Sequence, residues 1–395
     1  ISIFDTSWYR KVLGERFENQ MSKGEVAKAY HTIQNFEKEL TDDGMVIIKL
    51  FLYISKREQK KRFEKLTSSR ESEWRVTGND WRRNEEYDAY LQVNEEMLAK
   101  TDTDFAPWTI VEATDKRYAA VKIYKTVIKA LEAAVERKPE EEEKASELDE
   151  KPVESVLNKA DLSLSYTREE YEKKKKKLQK ELTKLHGELY RRRIPMILGF
   201  EGWDAGGKGG AIKRLTQALD PRGYVVIPTA APNDWEKKHH YLWRFWIKMP
   251  KKGHITIFDR TWYGRVMVER IEGFCTKQEW KRAYKEMNDM EEQLADSGAI
   301  VMKFWMQIDK DEQERRFKER QANPAKQWKI TDEDWRNREK WDLYERAVEE
   351  MLVKTSTPSA PWIIVEGNDK YYARIKVLET VVEAIRRRLS EEKEK

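Results

Sequence analysis

The chain has 395 residues, enough for two or three domains, and its 77 basic and 72 acidic residues leave a net charge of only +5, so any anionic partner must be held by a local cluster. Charged residues reach 38%, yet 15 Trp, 17 Tyr and 12 Phe supply the bulk of packed cores and exclude a disordered chain. The apolar runs are strand-sized, which argues against a membrane-spanning helix, the single Cys275 excludes an internal disulfide or a Cys-rich metal site, and the five histidines show no ligand spacing; the expected setting is cytoplasmic.

Residues 1–131 align with residues 255–385 without a gap, and about two-fifths of the pairs are identical, so the chain contains a duplication. Ile1-Ser2-Ile3-Phe4-Asp5 matches Ile255-Thr256-Ile257-Phe258-Asp259, and Trp8-Tyr9 matches Trp262-Tyr263. The second copy carries about 90 residues ahead of its repeat, roughly 165–254, that the first copy lacks. As a strand, Ile1 to Phe4 would have an open edge and a bare core face, so the expectation is that a comparable stretch before Ile1 is missing. Residues 1–137 are expected to be an incomplete, non-catalytic copy that serves as a structural partner. Residues 138–158, with Pro139, Glu140 to Glu143, Asp149, Glu150 and Pro152, read as an acidic linker, and 390–395 as a polar tail.

In residues 159–395 strands and helices alternate. Short apolar runs predict strands at 194–200, 224–227, 254–258, 299–308 and 362–365. Helical periodicity fills 167–192, 209–219, 234–246, 263–271, 276–296, 310–319, 331–354 and 370–389. Thr276 with Glu279, and Thr331 with Asp334, are helix-start signals. The alternation predicts an α/β domain with a mainly parallel sheet.

The first of these strands runs into Gly202-Trp203-Asp204-Ala205-Gly206-Gly207-Lys208-Gly209-Gly210, a phosphate-binding loop. Glycines let backbone N–H groups turn toward an anion, the next helix presents its positive end to it, and Lys208 adds a full charge. A glycine-rich turn without a ligand is the weaker alternative. Gly209 stands where Ser or Thr ordinarily holds magnesium, so the metal ligand must come from elsewhere, and Asp204 is the first candidate. Asp259, at the carboxyl end of a buried strand, is the second; the alternative is a helix cap. Arg260 and Arg265 flank the turn as phosphate clamps. In the basic stretch 314–320, Arg315 and Lys318 read as a solvated helix face with intrahelical pairs, Arg320 as functional. His239, His240, Tyr241 and Arg244 are weaker candidates for the pocket wall, and the lysines at 173–177 read first as a solvated face.

Residues 199–210, Tyr241-Leu242-Trp243-Arg244 and Phe258-Asp259-Arg260-Thr261-Trp262-Tyr263 together resemble the family-2 polyphosphate kinases. The resemblance covers the second half nearly end to end, and two fused copies resemble the class that phosphorylates AMP, the polyphosphate:AMP phosphotransferases. It implies two duplicated three-layer α/β/α P-loop kinase-like domains with a parallel sheet, the first incomplete, and a helical lid at about 310–338. It implies Mg2+ at Asp204 and Asp259, with Mn2+ as the alternative ion. Lys208, Arg260 and Arg320 would contact phosphates, Arg320 from the lid. Inorganic polyphosphate would be the donor, AMP the acceptor and ADP the product, with no covalent enzyme intermediate and a reaction that runs both ways in principle. The two copies also bear on the division of labour: Thr6 replaces Arg260 and Leu66 replaces Arg320 in the first.

Three other readings stay open on the sequence: polyphosphate-dependent phosphorylation of nucleoside diphosphates, an ATP-dependent nucleoside monophosphate kinase, and a non-catalytic polyanion binder. The weak net charge and the lack of a recognisable module argue against nucleic-acid binding. Self-association is left open.

Overall fold

The computed structural model describes residues 1–18, 20–136 and 155–391, which belong to two compact units, Ile1–Glu140 and Glu141–Lys395. The first unit contains α1 (Lys23–Asp42), β1 (Lys49–Tyr53), α2 (Lys56–Thr67), α3 (Gly78–Glu85), α4 (Tyr87–Thr101), β2 (Trp108–Glu112) and α5 (Lys116–Glu136). Its sheet is one parallel pair, Lys49 beside Trp108 through Tyr53 beside Glu112. Ile1 to Phe4 is not a strand, and Ile3 and Phe4 lie exposed. The matching strand of the second unit, Ile255–Asp259, hydrogen-bonds to two neighbours, whereas among the described residues no strand pairs with Ile1 to Phe4. One face of α5 differs likewise: Val121, Tyr124, Ile128 and Leu131 are exposed, whereas their counterparts Ile375, Leu378, Val382 and Ile385 are buried.

The second unit runs α6 (Arg168–Arg192), β3 (Met196–Gly202), α7 (Lys208–Thr216), β4 (Tyr224–Pro228), α8 (Trp243–Trp246), β5 (Ile255–Asp259), α9 (Val268–Ile271), α10 (Lys277–Asp296), β6 (Ile300–Gln307), α11 (Lys310–Gln321), α12 (Asp332–Glu339), α13 (Trp341–Thr355), β7 (Trp362–Glu366) and α14 (Lys370–Glu391). The five strands form a parallel sheet in the order β4-β5-β3-β6-β7. β3 is central and buried along nearly its whole length, which is why it reads as a continuous apolar run. Alternate strand residues feed two cores. Ile197, Phe258, Val301 and Trp305 pack with α10 and α13 on one face. Met196, Leu198, Phe200, Ile257 and Phe304 pack with α6, α7 and α14 on the other. The result is a three-layer α/β/α domain. Capping boxes start α6 at Thr167 with Glu170, α10 at Thr276 with Glu279 and α12 at Thr331 with Asp334.

Three expected helices are broken. The 234–246 stretch is a 3-10 turn (Glu236–Lys238) and one α turn, α8, with His239 extended between them. The 263–271 stretch is a 3-10 segment (Trp262–Val266) and α9, separated at Met267. The 331–354 stretch breaks at Lys340, whose ammonium bonds both carboxylate oxygens of Glu272 at 2.8 and 2.7 Å. The acidic linker also ends sooner than 158. Residues 137–154 lie outside the described residues, but the Val156 and Leu157 amides donate to the Glu349 carboxylate at 2.7 and 3.1 Å, and Leu157 is buried in the core. Burying a carboxylate demands donors, and these amides supply them. Residues 392–395 of the expected tail are likewise outside the described residues. No helix among the described residues is long and apolar enough to cross a membrane.

Candidate active site

The loop after β3 is shaped by backbone that few side chains tolerate. Gly202 has φ 145°, and a Cβ there would lie 2.6 Å from Met306 of the neighbouring strand. Gly207, with φ 111°, starts α7. A Cβ at Gly206 would lie 2.8 Å from the Trp203 carbonyl, whereas one at Gly209 would meet nothing within 4 Å. The loop therefore curls tightly and points the open N–H groups of α7 into its hollow. Lys208, the first residue of α7, donates from Nζ to the Gly202 and Trp203 carbonyls. Desolvation pushes its ammonium down; Asp204, Glu201 and Asp259 pull it back up, and Arg260 lowers it further.

A second turn closes against this loop at the end of β5. In the sheet register Asp259 lies beside Phe200 and Pro228. Arg260 adopts φ 67°, its amide donates to the Phe200 carbonyl at 3.0 Å, and its guanidinium reaches Asp204 Oδ1 at 3.3 Å. A left-handed Arg is strained, and Glu201 holds the turn in place. Its buried Oε1 accepts from the Thr261 amide at 2.6 Å and the Thr261 hydroxyl at 2.8 Å. Burial raises the Glu201 pKa against the pull of Lys208, Thr261 and Arg260.

The two turns open onto a cavity of about 750 Å³. Gly202, Asp204, Lys208 and Arg260 line one wall, and Tyr241, Arg244, Arg265 and Glu269 another. Gln313, Asn337, Arg338 and Trp341 line the third. Arg265 lies over the Tyr241 ring at 4.5 Å and pairs with Glu269 at 3.1 Å and Glu279 at 3.7 Å, so acids already hold it. Burial raises the Glu269 pKa, while Arg265 opposes. His239 joins the wall, but His240 is buried beside Glu286 instead, at 3.4 Å.

The structure thus brings Asp204, Lys208, Arg260 and the loop glycines together, with Asp259 acting on Lys208 through its charge. Among the described residues no three His, Cys, Asp or Glu side chains converge as a metal cluster. Arg320 departs from expectation. It is absent from the cavity wall and donates to the Lys329 carbonyl at 3.2 Å. Earlier turns of α11 face the loop instead: Gln313 donates to the Asp204 carbonyl at 3.1 Å and Arg316 to the Ala205 carbonyl at 2.9 Å. Lys174 bonds Tyr166 at 3.0 Å and Glu379 at 3.3 Å, linking α6 to α14 away from the cavity. Sequence reasoning missed Glu201, although an acid in an otherwise apolar central strand signals a paired carboxylate. It also missed Gln313, which lies inside the predicted lid.

The polyphosphate kinase 2 family model matches residues 1–139 and 165–393. The chain is 43% identical over 392 residues to the polyphosphate:AMP phosphotransferase of Pseudomonas aeruginosa, covering 97% of this chain and 78% of that one. It is 41% identical over 202 residues to an ADP-polyphosphate phosphotransferase of the same organism, covering 51% of this chain and 66% of that relative. A crystal structure of a polyphosphate kinase 2 from Pseudomonas aeruginosa PA01 superposes with a TM-score of 0.85 at 40% identity, covering 98% of this chain and 77% of that chain. With the family model on both units and the solved structure following nearly the whole fold, this chain belongs to the polyphosphate kinase 2 family.

Proposed function

We infer that the protein is a polyphosphate:AMP phosphotransferase: it moves the terminal phosphoryl group of inorganic polyphosphate to AMP and releases ADP. The observation that carries this reading is the duplicated chain. The relative matched over nearly all of it is the one named for AMP, whereas the relative named for ADP matches about half.

The site offers what phosphoryl transfer needs, which is positioning and charge stabilisation more than covalent chemistry. In our reading the loop amides and Lys208 hold the phosphates beside the transferred group. Arg260, pinned by Glu201 and Thr261, meets the charge that spreads over the transferred oxygens. The acceptor phosphate enters from the cavity side, and the lid residues Gln313 and Arg338 help exclude water. The family's chemistry involves a divalent ion, and we assign it to Asp204 and Asp259. The donor set fits. Asp204 lines the cavity and Asp259 ends the neighbouring strand beside Phe200, and Mg2+ takes one or two carboxylates with water and phosphate oxygens. Mg2+ is our choice of ion, with Mn2+ as the substitute; when bound it neutralises charge on the phosphates. We place the protein in the cytoplasm, where AMP and ADP are available.

The test is to incubate the protein with AMP, Mg2+ and long-chain polyphosphate, without ATP, and follow ADP by chromatography. ADP formation that is lost in Lys208→Ala is the expected result. ADP formed only when ATP replaces polyphosphate overturns the donor; product formed only from ADP as acceptor overturns the acceptor.

A further inference from the structure

The two copies form an internal comparison of what the lid contacts are for. Some are shared. Arg338 donates to the Lys310 carbonyl at 2.5 Å and to Gln313 Oε1 at 3.4 Å; at the matching places Asn84 donates to the Lys56 carbonyl at 3.1 Å and to Gln59 Oε1 at 2.8 Å. Arg316 holds the Gly367 and Asn368 carbonyls at 2.6 and 3.0 Å, and Arg62 the matching Ala113 and Thr114 carbonyls at 2.6 and 3.1 Å. These contacts recur in both copies although Thr6 stands for Arg260 in the first, so we read this docking of α12 on α11, and of α3 on α2, as shared scaffold.

The face toward the loop differs. Asn337 donates to Asp204 Oδ2 at 3.3 Å, whereas Arg83 at the matching place lies 3.6 Å from Glu18. Trp341 stacks on Trp203 with centroids 3.7 Å apart and planes 10° from parallel, whereas its counterpart Tyr87 donates to the Ile54 carbonyl at 2.6 Å. We propose that Asn337 is a positioning residue for Asp204: the neutral lid amide fixes the carboxylate's orientation without cancelling its charge, so the lid sets the shape of the divalent-cation site. The Asn337 and Arg260 contacts, each 3.3 Å, are long for bonds to a carboxylate and leave its oxygens lone pairs for a cation. An arginine at 337, as the first copy has at 83, would compete with that cation. This inference rests on reading Asp204 as a metal-holding carboxylate.

The experiment measures Mn2+ binding to the full chain by water-proton relaxation, beside steady-state kinetics with AMP and polyphosphate. Asn337→Ala is expected to weaken Mn2+ binding by about tenfold, the size typical for residues that support metal ligands, and Asp204→Asn, which removes the ligand itself, by at least as much. Asn337→Arg is expected to weaken it further, with an unfolding temperature like the parent's because the docking contacts lie elsewhere. The Mg2+ needed for half-maximal rate should rise in parallel, while KM for AMP stays within about twofold because Asn337 touches the carboxylate rather than the acceptor. Mn2+ affinity unchanged in both Asn337 variants, with stability alone reduced, overturns the proposal; so does Mn2+ affinity indifferent to Asp204→Asn. A parent that makes no ADP from polyphosphate, yet whose variants lose Mn2+ as stated, refutes the proposed reaction and leaves the positioning role standing.

Discussion

Arg260 reaches Asp204 because its backbone is held where an arginine does not ordinarily sit. The φ of 67° is stabilised by the buried Glu201 carboxylate on Thr261. Glu201→Ala removes that acceptor and leaves a buried amide and hydroxyl unpaired, at a cost of about 1–3 kcal/mol less the relief of an expensive buried carboxylate. ADP formation should therefore fall at least about tenfold while urea stability drops only modestly, with Glu201→Gln intermediate because its amide oxygen still accepts. An Ala variant with parental activity would show that the turn holds itself. Cys275 makes a second prediction. Burial pushes its thiol up to about 11, with Arg265 opposing. The folded value is above the ordinary one, so this group's stabilising contribution is complete below the unfolded thiol pKa and is lost as pH rises through about 11. At pH 8 almost no thiolate is present, and alkylation should be slow in the folded protein and fast after denaturation. Prompt labelling of native protein would contradict the burial.

At the scale of elements, the strands were legible because a buried parallel strand has one pattern, a short apolar run with no polar face. The helix at 276–296 was legible because cap and periodicity agree there. The failures cluster around the cavity. Helical periodicity at 234–246 and 331–354 is real, but His239 and Lys340 leave the helix. His239 enters the cavity wall, Lys340 binds Glu272, and Trp341 is brought onto Trp203. Such contacts join residues far apart in sequence, and no local pattern reports them. Arg320 lies off the cavity wall for a related reason: which turn of a helix faces a loop depends on the docking angle, and here Gln313 and Arg316 face it. The loop glycines make a paired prediction. Gly202→Ala forces a Cβ to within 2.6 Å of Met306 at a φ of 145° and should destabilise the domain and abolish ADP formation. Gly209→Ser meets nothing within 4 Å. It should fold as well as the parent or better, by up to about 0.5 kcal/mol, since Ser favours a helix over Gly. Circular-dichroism melts of the two variants decide; equal losses would mean that the close approach at Gly202 is not what fixes the loop.

At the scale of the whole molecule, the duplication separates what builds the fold from what does chemistry. Both units bury the same polar network. Lys303 donates to Glu291 at 2.6 Å, Tyr263 at 2.9 Å and the Thr355 carbonyl at 2.6 Å. Lys49 donates to Glu37 at 2.9 Å, Tyr9 at 3.1 Å and the Thr101 carbonyl at 2.6 Å. Burial lowers both lysines' pKa, and the paired glutamates oppose it. Removing one partner of such a pair costs about 3–5 kcal/mol, which is reason enough for the network to persist in both copies although the turn residue differs between them. The turn beside it persists too: Thr6 has φ 65° where Arg260 has 67°. What differs is the chemistry on the turn, since Thr6 carries no guanidinium where Arg260 does. Asp5 thus lacks the neighbouring guanidinium that Asp259 has in Arg260. Asp5→Asn should therefore leave kcat and KM within about twofold, while Asp259→Asn, which removes a charge acting on Lys208, should lower kcat by about 100-fold or more. Equal losses in the two variants would mean that the first unit carries a working site of its own. An inactive Asp259→Asn beside a parental Asp5→Asn would assign the chemistry to the second unit and leave the first a structural role.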